Sequence, residues 1–190
     1  CKYVDIPIQH ISDDILKLMK RKGRKSIITE NINKMRASIE GLILRTTLIV
    51  GFPGETEGNF DELKQFIKET KFDKLGVFQY SMEEGTEACV MKDQVPEEIK
   101  AKREEELMII QQDISKKINT KKIGRIYKVL VEGFDGETYY GRNYEMAPEV
   151  DGTIFFESNK VCNKGEFVKV RVTKALEYDL IGVVCCESCK

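Results

Sequence analysis

The stretch Leu44-Arg45-Thr46-Thr47-Leu48-Ile49-Val50-Gly51-Phe52-Pro53-Gly54-Glu55-Thr56 constrains the fold more than any other part of the chain. Its first seven residues are a branched, apolar run of strand length, which reads as a strand buried on both faces. The run breaks at Gly51-Phe52-Pro53-Gly54, where glycine takes positive φ at little cost and proline fixes a torsion. Thr56 is placed to cap a helix whose apolar face is Phe60, Leu63, Phe66 and Ile67. The unit is strand, tight turn, helix. Arg45 is its odd member, because a guanidinium in a buried strand is costly unless paired. It demands either a neighbouring acid or an anionic ligand. With Thr47 it shares one face of the strand, while Thr46 and Leu48 point the other way.

The same alternation recurs on both sides. Residues 3–8 read as a short strand ending in Gln9-His10, and Ser12 as the cap of a helix with Ile15, Leu18 and Met19 inside, a basic end at Lys20 to Lys22 and Gly23 beyond. A second helix is predicted over about 28–39, and a third strand over 75–80, followed by the polar loop Ser81 to Thr86. Strand alternating with helix implies an α/β unit, a parallel sheet with helices packed outside. Sites in such sheets collect at the carboxyl ends of the strands. Here those ends are Gln9-His10, Gly51 to Glu55, and Gln79-Tyr80-Ser81. Three strands make only half of a barrel, so the other half would precede Cys1, and the sheet would keep an open edge.

Pro96 marks the start of a long helix running to about Ile118, with Ile99, Leu107, Ile110 and Ile114 as its apolar positions. Its charged residues Lys100, Lys102, Arg103, Glu104, Glu105 and Glu106 read as a solvated face, and Met108 and Ile109 as packing. After Asn119 the period changes to two. Five short strands, at about 125–131, 138–142, 150–157, 167–173 and 179–184, indicate an all-β domain: a small antiparallel five-stranded barrel of the oligonucleotide-binding type. From Arg125 to Val184 there are eight basic and ten acidic residues, a net of -2. That balance suits a basic protein partner better than a phosphate backbone.

The whole chain carries a net charge of -1, with 41% hydrophobic and 33% charged residues. These values belong to a soluble globular protein and give no argument for a membrane or polyanion partner. No apolar run is long enough to span a bilayer, and no signal peptide is expected. Cys1 in place of an initiator methionine suggests a piece of something longer. The cysteines are too scattered for a disulfide framework and suit a reducing cytoplasm. Cys186-x2-Cys189 has metal-ligand spacing but no second Cys or His pair. His10, the only histidine, is either a hydrogen-bonded structural residue or a base. Glu55 either accepts a ligand's amine or hydroxyl or braces its own turn. The chain has no P-loop, dinucleotide fingerprint or nucleophile elbow.

Four stretches together are similar to one family: residues 5–12, residues 44–56, Gly76 to Ser81 with Glu84-Gly85-Thr86, and Gly141-Arg142 with Ala147 to Gly152. They resemble the RimO-type methylthiotransferases, radical S-adenosylmethionine enzymes of the bacterial cytoplasm. The resemblance implies that residues 1 to about 118 are the later half of a radical-SAM partial barrel, that about 119 to 185 are a TRAM domain, and that 186–190 are a tail. It implies addition of a methylthio group to the β-carbon of an aspartate in the twelfth small-subunit ribosomal protein. S-adenosylmethionine would be both methyl and radical source, with two [4Fe-4S] clusters. The cofactor pocket projects onto Gln9, Arg45, Thr47, Gly51, Phe52, Pro53, Gly54, Glu55 and Ser81, with Arg45 facing a carboxylate. The TRAM barrel would dock the ribosomal protein. The Cys-x3-Cys-x2-Cys cluster motif is absent, so no catalytic residue or cluster ligand is assigned in this chain, and catalysis by it alone is not expected. Cys89 stands where the family usually has a small residue and is not promoted to a ligand. The sister family that modifies tRNA typically shows Gln-Ser-Gly-Ser where this chain has Gln9-His10-Ile11-Ser12, which favours the protein substrate over tRNA.

Overall fold

The structure is a computed structural model that describes residues 2–185. They form two compact units, one of Val4–Gln111 and one running from Gln112 onward together with the residues before Val4. The Cys186-x2-Cys189 pair and the tail lie outside the described residues.

The first unit alternates strand and helix: β1 (Tyr3–Gln9), α1 (Asp13–Leu18), α2 (Lys25–Ser38), β2 (Ile43–Val50), α3 (Glu57–Thr70) and β3 (Lys74–Gln79). The strands lie in the order β1-β2-β3. β2 and β3 run parallel, with Thr47 opposite Gly76 and Val50 opposite Gln79. β2 differs from the expectation of two buried faces. Leu44, Thr46, Leu48 and Val50 are buried, whereas Arg45, Thr47 and Ile49 are only half-buried. Three strands do not close on themselves, so one face of the sheet lacks the cover that a full barrel gives. Thr46 explains how a hydroxyl survives on the sealed face. Its Oγ1 donates to the Ile6 carbonyl at 2.7 Å and accepts from the Ile8 amide at 3.4 Å, tying β2 to β1.

Thr56 and Ser12 both stand at the helix starts expected of them, whereas α1 ends earlier than expected. Thr56 caps α3 through Asn59, which returns a bond to the Thr56 amide at 2.9 Å, a reciprocal box that satisfies two orphan donors. Ser12 sits at the cap position of α1 but makes no side-chain cap bond. Its hydroxyl instead accepts from Asn59 Nδ2 at 2.9 Å. α1 also stops short of the Gly23 signal. Lys20 adopts φ 56, and the Arg21 amide reaches back to the Leu16 carbonyl, so the left-handed turn that ends the helix falls on a lysine.

The long helix, α4 (Glu97–Thr120), buries a stripe that hydropathy does not reveal. Its sealed positions are Lys100, Arg103, Leu107, Gln111, Ser115 and Asn119, at spacings of three and four. All but one are polar. Within the first unit, Gln111 Nε2 donates to the Phe72 carbonyl at 2.9 Å, and within the second, Asn119 Nδ2 donates to the Glu177 carbonyl at 3.1 Å. Long polar side chains thus satisfy backbone carbonyls where elements end. Ile109, expected to pack, is exposed.

The second unit is a closed barrel of β4 (Ile126–Phe134), β5 (Tyr139–Arg142), β6 (Ile154–Glu157), β7 (Phe167–Ala175) and β8 (Leu180–Val184), ordered β4-β5-β6-β8-β7. It is not wholly antiparallel, because β6 and β8 pair parallel. Parity requires this. Directions cannot alternate around a closed ring with an odd number of strands, so at least one neighbouring pair must be parallel. Val129, Val131, Ile154, Phe156, Val170 and Leu180 fill the interior. Gly141 lets β5 press against β4, since a Cβ there would lie 2.0 Å from the Leu130 carbonyl oxygen. No helix among the described residues is long and apolar enough to cross a membrane.

Candidate cofactor site at the strand ends

The turn after β2 begins where the strand's backbone reverses. Gly51 has φ 72 and Gly54 φ 87, values that explain glycine at both positions. Tyr80 continues β3 by donating its amide to the Val50 carbonyl at 2.9 Å, and its ring meets Phe52 edge-on at 5.2 Å. With Ile15, these rings form an apolar cluster beneath the strand ends.

Glu55 lies inside this turn. Its Oε2 accepts from the Gly51 amide at 2.7 Å and the Phe52 amide at 3.3 Å, while Oε1 meets Arg103 Nη1 at 2.9 Å. The side chain is fully buried, and burial raises its pKa, opposed by Arg103 and by the two amides. Of the two roles open to Glu55 in the sequence, bracing accounts for both of its oxygens. Arg103 also bonds the Glu55 carbonyl at 3.2 Å and Glu57 at 3.2 Å, and its guanidinium lies 5.2 Å from the Phe60 ring centroid.

Lys100 fastens the same turn from another side. Its ammonium donates to the Tyr80 carbonyl at 3.0 Å and to Glu97 at 2.5 Å, over the Tyr80 ring. Its stem fills the space a Gly51 side chain would need, with Cγ 2.2 Å from an ideal Cβ. Their polarity in the sequence predicts a solvated face for Lys100 and Arg103. They are 1% and 6% exposed. The signal was present as polar residues repeating at helical spacing, but polarity disguised it as a surface.

His10 completes the buried group. Its Nδ1 accepts from the Ser12 amide at 3.0 Å, which leaves the proton of the neutral ring on Nε2. Nε2 lies 3.8 Å from Glu55 Oε2, beyond hydrogen-bond length, and has no other partner. Burial, reinforced by the Arg103 charge, lowers the His10 pKa to about 4.

The remaining predicted residues fall on the half-buried face and its rim. Gln9 ends β1 with φ 73, strained for a residue with a side chain, and its Oε1 is buried without a partner. Arg45 meets Asp5 at 2.6 Å, so the acid that the sequence demanded is present within the sheet. Thr47 shares Arg45's face, Phe52 and Pro53 are buried, and Ser81 is exposed and donates to Glu83 at 3.3 Å. A cleft of about 470 Å³ borders Gly54, Thr56, Asp93, Pro96 and Arg103, but Gln9, Arg45, Thr47 and Ser81 do not line it. The orphaned Gln9 oxygen and the uncovered Thr47 face suit a polar cofactor such as S-adenosylmethionine. An iron-sulfur cluster does not fit: no group of three or more His, Cys, Asp or Glu among the described residues could hold a metal ion.

On the barrel, several cations gather on one pair of strands. Lys128 and Lys169 stand directly opposite each other on the outward face of β4 and β7, with Arg171 opposite Ile126. Phe167 is exposed beside them, with Lys128 Nζ 4.3 Å from its ring centroid. The acids gather in connections: Asp135 and Glu137 between β4 and β5, Glu149 before β6, Glu166 before β7.

A parallel strand-helix sheet with a glycine turn at its strand ends, followed by a closed five-stranded barrel, is the architecture of a radical-SAM segment joined to a TRAM domain. The radical SAM superfamily model matches residues 1–67 and the TRAM domain model residues 123–185. A solved structure described as Escherichia coli coproporphyrinogen III oxidase, a radical SAM enzyme, aligns with TM-score 0.50 and 20% identity over 60% of this chain and 27% of that one, which speaks to fold alone. Over nearly its whole length the chain is similar to proteins named ribosomal protein uS12 methylthiotransferase RimO. It is 61% identical over 188 residues, 99% of its length, to the protein of Clostridium novyi (strain NT) named ribosomal protein uS12 methylthiotransferase RimO. It is 57% identical over 190 residues to the protein of the same name from Clostridium tetani (strain Massachusetts / E88). The chain spans 42% and 43% of the length of these two relatives.

Proposed function

We propose that this chain supplies the later strands and the TRAM barrel of a radical S-adenosylmethionine methylthiotransferase, which adds a methylthio group to the β-carbon of an aspartate in ribosomal protein uS12. One observation carries the reading: 61% identity to a protein named for that reaction runs through strand ends and barrel alike. S-adenosylmethionine, when bound, supplies the methyl group and the radical. Gln9 Oε1 offers an acceptor to the cofactor's amine or hydroxyls, and Thr47 a hydroxyl on the uncovered face. Gly51 to Gly54 with Phe52 and Pro53 form the wall, Glu55 braces that wall, and Ser81 stands at the end of β3. Arg45 is engaged by Asp5, so a ligand carboxylate would share it with that acid. The two [4Fe-4S] clusters need ligands from outside the described residues. Such an enzyme works in the cytoplasm.

The barrel docks the ribosomal protein through its acidic connections, in keeping with the -2 balance. A second reading of its surface is favoured by the Lys128–Lys169 pair: like charges directly opposite are destabilising unless an anion joins them, and the neighbouring Phe167 offers a base a stacking face. That face would contact RNA.

The test is to supply the full-length protein, clusters reconstituted, with S-adenosylmethionine and either uS12 or tRNA, and to weigh the products. A methylthio mass gain on uS12 is expected. A gain on tRNA alone refutes the substrate assignment.

A further inference from the structure

From the geometry of the strand ends we infer that Lys100 and Arg103, outside the glycine turn in sequence, are positioning residues for the cofactor wall; this rests on the cofactor reading above. Pro53 fixes one torsion of the turn, but Gly51 and Gly54 on either side of it are both in left-handed conformations that glycine leaves readily. Its shape is set instead by Glu55, which gathers the Gly51 and Phe52 amides onto one oxygen. A buried carboxylate holds two amides most tightly when it is ionised and its charge is compensated. Among the described residues Arg103 is the cation within hydrogen-bond reach of it, with His10 kept neutral beside it. Arg103 also fixes the backbone after the turn through the Glu55 carbonyl.

Lys100 does a different job. Its ammonium caps the Tyr80 carbonyl at the end of β3 while its stem lies against Gly51 at the end of β2. One side chain therefore sets the distance between two strand ends, and Phe52 packs on Tyr80 within that spacing. The two cations lie three residues apart on one face of α4. Gln9, Thr47 and the turn can present a single surface to a ligand only if the strand ends keep their mutual places.

The experiment uses Lys100→Met, which keeps the stem and loses the ammonium, and Arg103→Lys, which keeps the charge and loses the fork, with Lys100→Arg as the conservative rescue. Amide exchange is measured at Gly51 and Phe52 against Leu48 in the centre of β2, and S-adenosylmethionine affinity is measured on the full-length protein by calorimetry. Arg103→Lys is expected to speed exchange at Gly51 and Phe52 by at least about tenfold while Leu48 is unchanged. Lys100→Met is expected to lower the melting temperature modestly yet leave the protein folded at the assay temperature, where cofactor binding is weaker by about tenfold or more, and Lys100→Arg to restore most of that affinity. Equal loss of protection at Leu48, or unchanged affinity in Lys100→Met, overturns the inference and leaves both residues as ordinary fold supports. If S-adenosylmethionine fails to bind the unsubstituted protein, the cofactor reading falls, while the exchange rates still decide whether Arg103 sets the turn.

Discussion

Replacing Gly51 with alanine should be costly for two separable reasons. The first is conformational: at φ 72 a Cβ meets its own backbone, a penalty of about 1–2 kcal/mol. The second is steric. The added methyl would lie 2.2 Å from Lys100 Cγ and 3.0 Å from Cδ. Lys100 cannot swing away cheaply, because it is sealed and its ammonium is tied to the Tyr80 carbonyl and Glu97. Overpacking of this kind costs about 1–3 kcal/mol. Gly51→Ala should therefore destabilise by about 2–5 kcal/mol in equilibrium urea unfolding. A double-mutant cycle separates the parts. In a Lys100→Ala background only the Lys100 Cβ remains, 3.2 Å from the new methyl, so the steric part should largely vanish and Gly51→Ala should cost about 1–2 kcal/mol. The same cost in both backgrounds would refute the claim that Lys100 occupies the space Gly51 leaves empty.

The other predictions follow from named contacts. The single histidine makes its ring resonance an unambiguous probe, and its titration midpoint should lie near pH 4; a midpoint near 6.5 would show that the ring is not held neutral by burial. Because this folded pKa is depressed, His10 stabilises the fold fully above its unfolded value of about 6.5, and roughly 3 kcal/mol is lost as pH falls from there to about 4. Glu55, raised by burial, works in the opposite sense, so its own cost is relieved on acidification. In the barrel, Lys122 Nζ and Glu145 Oε2 lie 2.7 Å apart at 7% and 4% side-chain exposure. Lys122→Met should cost about 3–5 kcal/mol by leaving Glu145 buried and uncompensated, whereas adding Glu145→Leu should recover much of it; thermal unfolding of the two variants decides. Thr46→Val should cost about 1–3 kcal/mol in denaturant unfolding, since the Ile8 amide and the Ile6 carbonyl lose the hydroxyl between them.

What the sequence makes legible here is what depends on neighbours along the chain. Strand, turn and helix around Gly51 could be read because φ preference, capping and apolar spacing are local, and Thr56 caps α3 as its type and position require. The change to period two after Asn119 announced the barrel for the same reason. Local pattern failed where long-range partners decide. The Glu55 carboxylate is held by a residue 48 positions away, and nothing beside Arg103 in sequence distinguishes it from Lys102, which is exposed. The demand of Arg45 for an anion was visible, but not that Asp5, on β1, would meet it.

The α4 stripe carries the same lesson into energetics. Hydrophobic periodicity assumes that a buried face is an apolar one, because apolar area is what helices usually hide. This helix packs where strands and loops end, and such places expose backbone carbonyls that burial would leave unpaired at a cost of about 1–3 kcal/mol each. Lys100, Gln111 and Asn119 reach the carbonyls of Tyr80, Phe72 and Glu177 and remove that cost. An apolar side chain at any of the three would bury more hydrocarbon and leave an orphaned carbonyl behind. A polar stripe at spacings of three and four, ending at a period change, is thus a physical signature of a helix laid across element ends. In this chain it is also the route by which the two cations that fasten the Gly51–Glu55 turn can be found.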